Sequence, residues 1–84
     1  MLFSVRVYVA LKPAVNDPQG NAVLASLHSL GFASVRDVRV GKFLAMDVEA
    51  EDQAAAERQA DEMCDKLLAN PVIESYQTLV TPAV

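Results

Sequence analysis

The 84-residue sequence predicts an α+β domain in the order strand, helix, strand, strand, helix, strand. Three observations predict it. Apolar residues alternate strictly near the N-terminus, they recur at three- and four-residue steps in two other segments, and glycine or proline punctuates each change of period.

From Phe3 to Leu11 every odd position is apolar, the period of two of a half-buried strand. Lys12-Pro13-Ala14-Val15-Asn16 breaks that pattern. Asp17-Pro18 then reads as an N-cap followed by proline at the first helical position, where its missing N–H is not needed. Val23, Leu24, Leu27 and Leu30 form one stripe of that first helix, and Gly31 supplies its left-handed stop. Extended segments follow at Val35 to Val40 and Lys42 to Glu49, with Gly41 between them predicting a tight hairpin. Parity brings Val38, Val40, Leu44, Met46 and Val48 to one face only if the connection has odd length, as Val40-Gly41-Lys42 has. Glu51 or Asp52 opens an amphipathic helix whose stripe is Ala56, Ala60, Met63, Cys64 and Leu67. Asn70-Pro71 stops it, because the residue before proline is pushed out of the helical region and asparagine tolerates a left-handed cap. Val72 to Val80 is the last strand, and residues 81–84 are expected to fray.

This order is the signature of the ferredoxin-like βαββαβ architecture, a four-stranded antiparallel sheet with both helices on one face. The other face then carries Tyr8, Ala10, Phe43 and Ala45. A chain so short buries only about 60% of the surface its unfolded form exposes. With 52% of its residues apolar and a mean hydropathy of +0.21, it is expected to associate with itself through its sheet or strand edges, the sequence leaving homodimer and homotetramer both open.

Seven basic and eleven acidic residues give a net charge of −4, which repels polyanions, so neither nucleic acid nor an anionic membrane is expected as a partner. The single cysteine, Cys64, has no partner for an internal disulfide, and the N-terminus lacks a signal peptide's apolar run, so the expected compartment is the cytoplasm.

Catalysis needs a constellation of groups, and the inventory is thin. His28 lies off the first helix's stripe and reads as a solvated residue. Cys64 sits on the buried stripe and reads as a small hydrophobe. The two lack metal-ligand spacing. Asp61, Glu62 and Asp65 read as a solvated face, with Glu62 pairing Lys66 four residues on. No phosphate-loop, dinucleotide or nucleophile-elbow pattern is present. Two loops remain as binding candidates. Lys12 to Gly20 contains a helix N-terminus whose free N–H groups could meet an acceptor on a partner, and Arg39-Val40-Gly41-Lys42 places two cations where a hairpin tip is expected. Each also has a plain reading, a capped turn and a solvated tip.

Four co-linear blocks, Val9-Ala10-Leu11-Lys12, Asp17-Pro18-Gln19-Gly20, Asp37 to Lys42 and Met63 to Tyr76, closely resemble the PurS family, across roughly Phe3 to Val80 in the same order and spacing. That family is the small subunit of bacterial phosphoribosylformylglycinamidine synthase. The resemblance implies one PurS-like domain over residues 1–84 that joins a glutaminase subunit to a large ATP-dependent synthase subunit in purine biosynthesis. It implies a complex that uses ATP, Mg and glutamine, with no cofactor in this chain, and a chain that positions partners without doing chemistry. It also marks Lys12, Asp17, Gln19 and Gly20 in one loop, and Arg39, Gly41 and Lys42 in the other, as partner-facing, with no catalytic or metal residue.

Fold alone would leave other readings open. An RNA-binding domain would need stacked aromatics and a basic face, whereas the sheet offers scattered Tyr8, Phe43 and Tyr76 on an acidic protein. An acylphosphatase would need an arginine in an anion loop after the first strand, and Lys12-Pro13-Ala14 has none. An amino-acid sensor domain is the alternative that residues do not exclude.

Overall fold

The computed structural model describes residues 1–83. Strand β1 (Leu2–Leu11) is the centre of an antiparallel sheet of order β2-β1-β3, with β2 at Lys42–Glu49 and β3 at Glu74–Pro82. The register pairs Val5 with Met46 on one side and with Val80 on the other, so odd β1 positions and even β2 and β3 positions share a face. Helix α2 (Gln53–Met63) covers that face along β1 and β3, driving Ala56 and Ala60 against Phe3, Val5, Val7 and Val80. Burial of each large side chain stabilises the fold by roughly 1.5–3 kcal/mol.

The helix starts follow the sequence. The Asp17 carboxylate accepts from the Gly20 amide at 2.9 Å to open α1 (Pro18–Ser29), and Asp52 accepts from Ala55 at 2.8 Å to open α2. Gly31 stops α1 with φ +98°.

Among the described residues the expected four-stranded sheet has three strands, and the hairpin at Gly41 is absent. Residues 35–40 have extended sequence character but no ladder, for a local reason. The Val40 amide is taken at 2.7 Å by the Asp17 carboxylate, and the Arg39 guanidinium reaches back to the carbonyls of Lys12 and Val15. Lys42 sits opposite Val9 near the end of β1, so residues 35–40 run out beyond the sheet beside the loop at 12–17 instead of folding back along β2.

Helix α1 goes with them and makes no extensive contact with the sheet, against the expectation of two helices on one face. Leu30 and Phe32 are 74% and 55% exposed.

The end of α2 also departs from the expected course. A π turn over Cys64–Leu68, closed by the Ala69 amide on the Cys64 carbonyl, adds a residue to the turn and swings Leu67 out to 82% exposure, off its expected stripe. The helix is over by Ala69, which is extended. Asn70 takes no left-handed conformation; its side chain accepts from the Val72 amide and turns the chain into β3. That strand continues through Thr81 and Pro82, residues expected to fray, and the Ala83 amide bonds the Leu2 carbonyl.

Candidate functional site

The residues singled out in the two loops come together at one end of the sheet. Asp17 is 3% exposed and ties the first turn of α1 to residue 40 through its two oxygens. Hydrogen bonds from Val40 and Gly20, with the Arg39 charge nearby, hold its carboxyl below the usual carboxylate value against the opposing effect of burial. Arg39 closes the loop with bonds of 3.0 and 2.7 Å to the Lys12 and Val15 carbonyls. Both glycines are close-approach positions: a Cβ on Gly20 would collide with the Val38 carbonyl, and one on Gly41 with the Val9 carbonyl. The lysines reach across to the α2–β3 connection, Lys12 to the Pro71 carbonyl at 2.7 Å and Lys42 to that of Leu68 at 3.3 Å.

This arrangement alters the reading of the loops. The N–H groups at the start of α1 turn inward to Asp17, and Arg39 and Lys42 are not the cations of a hairpin tip. Asp17 and Gly20 are buried, Arg39 and Gly41 fix backbone, and Gln19 stands exposed on the surface of α1. The knot they form was not apparent from the sequence, because the Asp17–Val40 bond links residues 23 apart.

The other polar candidates behave as their positions suggest. His28 is exposed, with Nε2 2.7 Å from the Val35 carbonyl. Burial, reinforced by Asp61, pushes the Cys64 thiol above its ordinary value, the condition of an inert cysteine. Glu62 and Lys66 pair at 2.7 Å on the surface. A cleft of about 290 Å³ lies between Lys12, Asp65, Glu74 and Tyr76. Partial burial, then Asp61, Cys64 and Asp65, raise the Tyr76 phenol, and no base stands within hydrogen-bonding distance of a nucleophile there.

The surfaces are more telling. On the open sheet face, Tyr8 and Phe43 pair across strands with ring centroids 5.0 Å apart, and Leu79, opposite Arg6, shares that face. On the helix face, Met63, Leu67 and Leu68 line an apolar groove of about 320 Å³ rimmed by Glu62 and Lys66. Together with the stripe of α1, these faces define a small α+β domain built to be docked against other chains.

Comparison with known proteins gives the family. The family model described as PurS, phosphoribosylformylglycinamidine (FGAM) synthase, matches residues 4–82. The chain is 46% identical to the phosphoribosylformylglycinamidine synthase subunit PurS of Bacillus subtilis, covering 99% of this chain and 98% of that one. It is 50% identical to the PurS subunit of a Synechocystis strain, over 88% of this chain and 74% of that one. Among solved structures it resembles Thermus thermophilus PurS with a TM-score of 0.90 at 38% identity and full coverage of both chains. It also resembles a chain of PurLQS from Thermotoga maritima with a TM-score of 0.89 at 31% identity, over 96% of this chain and 99% of that one. This chain belongs to the PurS family. The alternative of an amino-acid sensor finds no support in these relatives.

Proposed function

We propose that this chain is the non-catalytic small subunit of a phosphoribosylformylglycinamidine synthase, holding a glutaminase subunit against a large ATP-dependent synthase subunit. The observation that carries the reading is the family match over nearly the whole chain, joined to similarity with a chain of an assembled PurLQS. In the reaction so assembled, glutamine hydrolysis releases glutamate and ammonia, and ATP transfers its terminal phosphoryl group to the amide oxygen of formylglycinamide ribonucleotide, leaving ADP and an imidate phosphate ester. Ammonia then adds at that carbon and phosphate leaves, giving the amidine. ATP, Mg and glutamine are bound by the larger subunits. The small subunit contributes apolar docking faces whose effect is to fix the distance and orientation between two active sites. We place the assembly in the cytoplasm; no described helix is long and apolar enough to cross a membrane.

Reconstitution tests this. The purified chain alone is expected to show no glutaminase, ATPase or ligase activity, and its addition to the two larger subunits is expected to restore glutamine-dependent amidine formation. Full activity of the larger pair without it would refute the role.

A further inference from the structure

Strand β3 is the sheet edge opposite β2, and the parity of its bonds to β1 fixes which of its backbone groups face outward. The Lys12 amide bonds the Ile73 carbonyl and the Ala83 amide bonds the Leu2 carbonyl, each continuing the β1–β3 register. Hydrogen-bonded pairs alternate along an antiparallel ladder, so the odd residues of β3 turn N–H and C=O toward β1 and the even residues turn theirs away. Two bonds on the outer side agree, the Glu74 amide being taken by the Asn70 carbonyl and the Val80 carbonyl by the Gln53 side chain. Between them, among the described residues, the amides of Tyr76, Thr78 and Val80 and the carbonyls of Tyr76 and Thr78 have no hydrogen-bond partner.

A free edge is usually blunted by lysine, by proline, by a bulge or by brevity. Ser75 to Thr81 carries no charge and no proline, its residues pair one for one with β1, and Pro82 guards only the far end. The helix beside this edge supplies charge. Gln53, Glu57, Asp61 and Asp65 recur every four residues and so share one side of α2 and its π turn. That side runs along β3: Gln53 bonds the Val80 carbonyl and, at 3.1 Å, Glu57, while Asp65 meets Tyr76 across the cleft of about 290 Å³ at the other end. The Tyr76 phenol, raised first by desolvation and then by Asp61, Cys64 and Asp65, reports the same proximity. Glu57, Asp61 and Asp65 are exposed, and among the described residues none of them has an ion-pair partner.

We infer that the β3 edge takes an extended segment of a partner protein as an added strand, one whose residues alternate between basic and apolar. The backbone of the segment pairs with Tyr76, Thr78 and Val80, and its side chains opposite those residues lie on the helix face, where lysine or arginine meets Glu57, Asp61 and Asp65. Its intervening side chains lie on the open face beside Gln77 and the exposed Leu79. A cation near the end of the segment enters the cleft, which the Asp65 and Glu74 carboxylates line.

Charge selects a different protein over a second copy. The chain's net charge is −4, and none of its strands alternates basic with apolar residues: Arg6 is the only cation of β1, Lys42 the only one of β2, and β3 has none. Residues 35–40 set Arg36 and Arg39 on opposite parities, and Arg39 is already held by the Lys12 and Val15 carbonyls. A basic segment from elsewhere meets three unpaired carboxylates, and complementarity of that kind fixes register as well as partner. The inference rests on the proposed subunit role, in which the segment belongs to one of the two larger subunits.

Residue-resolved hydrogen exchange on the unsubstituted chain tests it without relying on a variant to fold. In the chain alone, the amides of Tyr76 and Thr78 are expected to exchange fast and the inward amides of Gln77 and Leu79 slowly, and in the three-subunit complex all four are expected to be slow. An assembled, active complex in which Tyr76 and Thr78 still exchange fast overturns the inference and leaves the subunit role standing, whereas a chain that forms no complex overturns both. Protection that grows instead with the concentration of the chain alone gives the edge to a second copy and overturns the inference as well. Two variants read the parts separately. Thr78→Pro removes an outward N–H and no ladder bond, and Asp61→Lys with Asp65→Lys reverses two exposed charges. Each is expected to raise the dissociation constant for the larger subunits by ~10-fold or more, and the deficit of the charge variant is expected to shrink at high salt. Wild-type affinity in the charge variant overturns the basic segment.

Discussion

At the scale of single residues, Asp17 is the most exacting position, because one carboxylate both caps a helix and holds the strand-like segment that would otherwise be free to turn back. Its pKa is lowered in the fold, so its contribution to stability is fully present above the ordinary carboxylate value and fades as pH falls through the lower folded value. Asp17→Asn is therefore expected to melt below the wild type by a constant margin from neutrality down to about pH 5, with the margin shrinking below about pH 4. Thermal melts of the two chains across that range check it, and an undiminished margin at the acid end would sink the assignment. Gly41 is constrained by space: Gly41→Ala drives a methyl group into the Val9 carbonyl and is expected to cost about 1–3 kcal/mol in denaturant unfolding. Cys64 is expected to react with a thiol reagent only on unfolding. Asp17 as a cap and Cys64 as a core residue were legible from neighbours in sequence. The partnership of Asp17 with Val40 was not, since nothing local marks a bond across 23 residues.

At the scale of elements, legibility followed the range of the interactions that decide each one. Strand β1 and the two helix starts rest on alternation and caps, which act within a few residues, and they stand where the pattern put them. Asp52→Ala removes such a local device and is expected to cost about 1 kcal/mol, read as a shift in denaturant midpoint at constant slope. Residues 35–40 show the converse. Val35, Val38 and Val40 suit a strand, but strand formation needs a ladder partner, and within one chain the Asp17 and Arg39 bonds direct the segment away from β2. The π turn at Cys64–Leu68 is likewise invisible to a period count, which assumes a constant 3.6 residues per turn and so misplaces Leu67.

At the scale of the whole molecule, composition indicated the right kind of object, since a small chain with this much apolar content cannot hide it all, and the described residues leave apolar faces exposed on the sheet, on α1 and at the end of α2. What such a chain can do for a reaction is geometric. Ammonia released to neutral water takes up a proton and ceases to be a nucleophile, so two active sites held close and shielded keep it reactive, while two sites that diffuse apart do not. The expected outcome is specific. With glutamine labelled at its amide nitrogen and unlabelled ammonium in excess, the reconstituted three-subunit complex forms an amidine that retains the label. Omitting this chain is expected to lower glutamine-dependent turnover while turnover supported by added ammonium persists, because the synthase chemistry itself is intact. Mass spectrometry of the product reads both arms of the experiment. A fully assembled complex whose amidine nitrogen has equilibrated with the bulk ammonium would mean that the small subunit does not secure transfer between the two sites, and that its docking faces serve assembly alone.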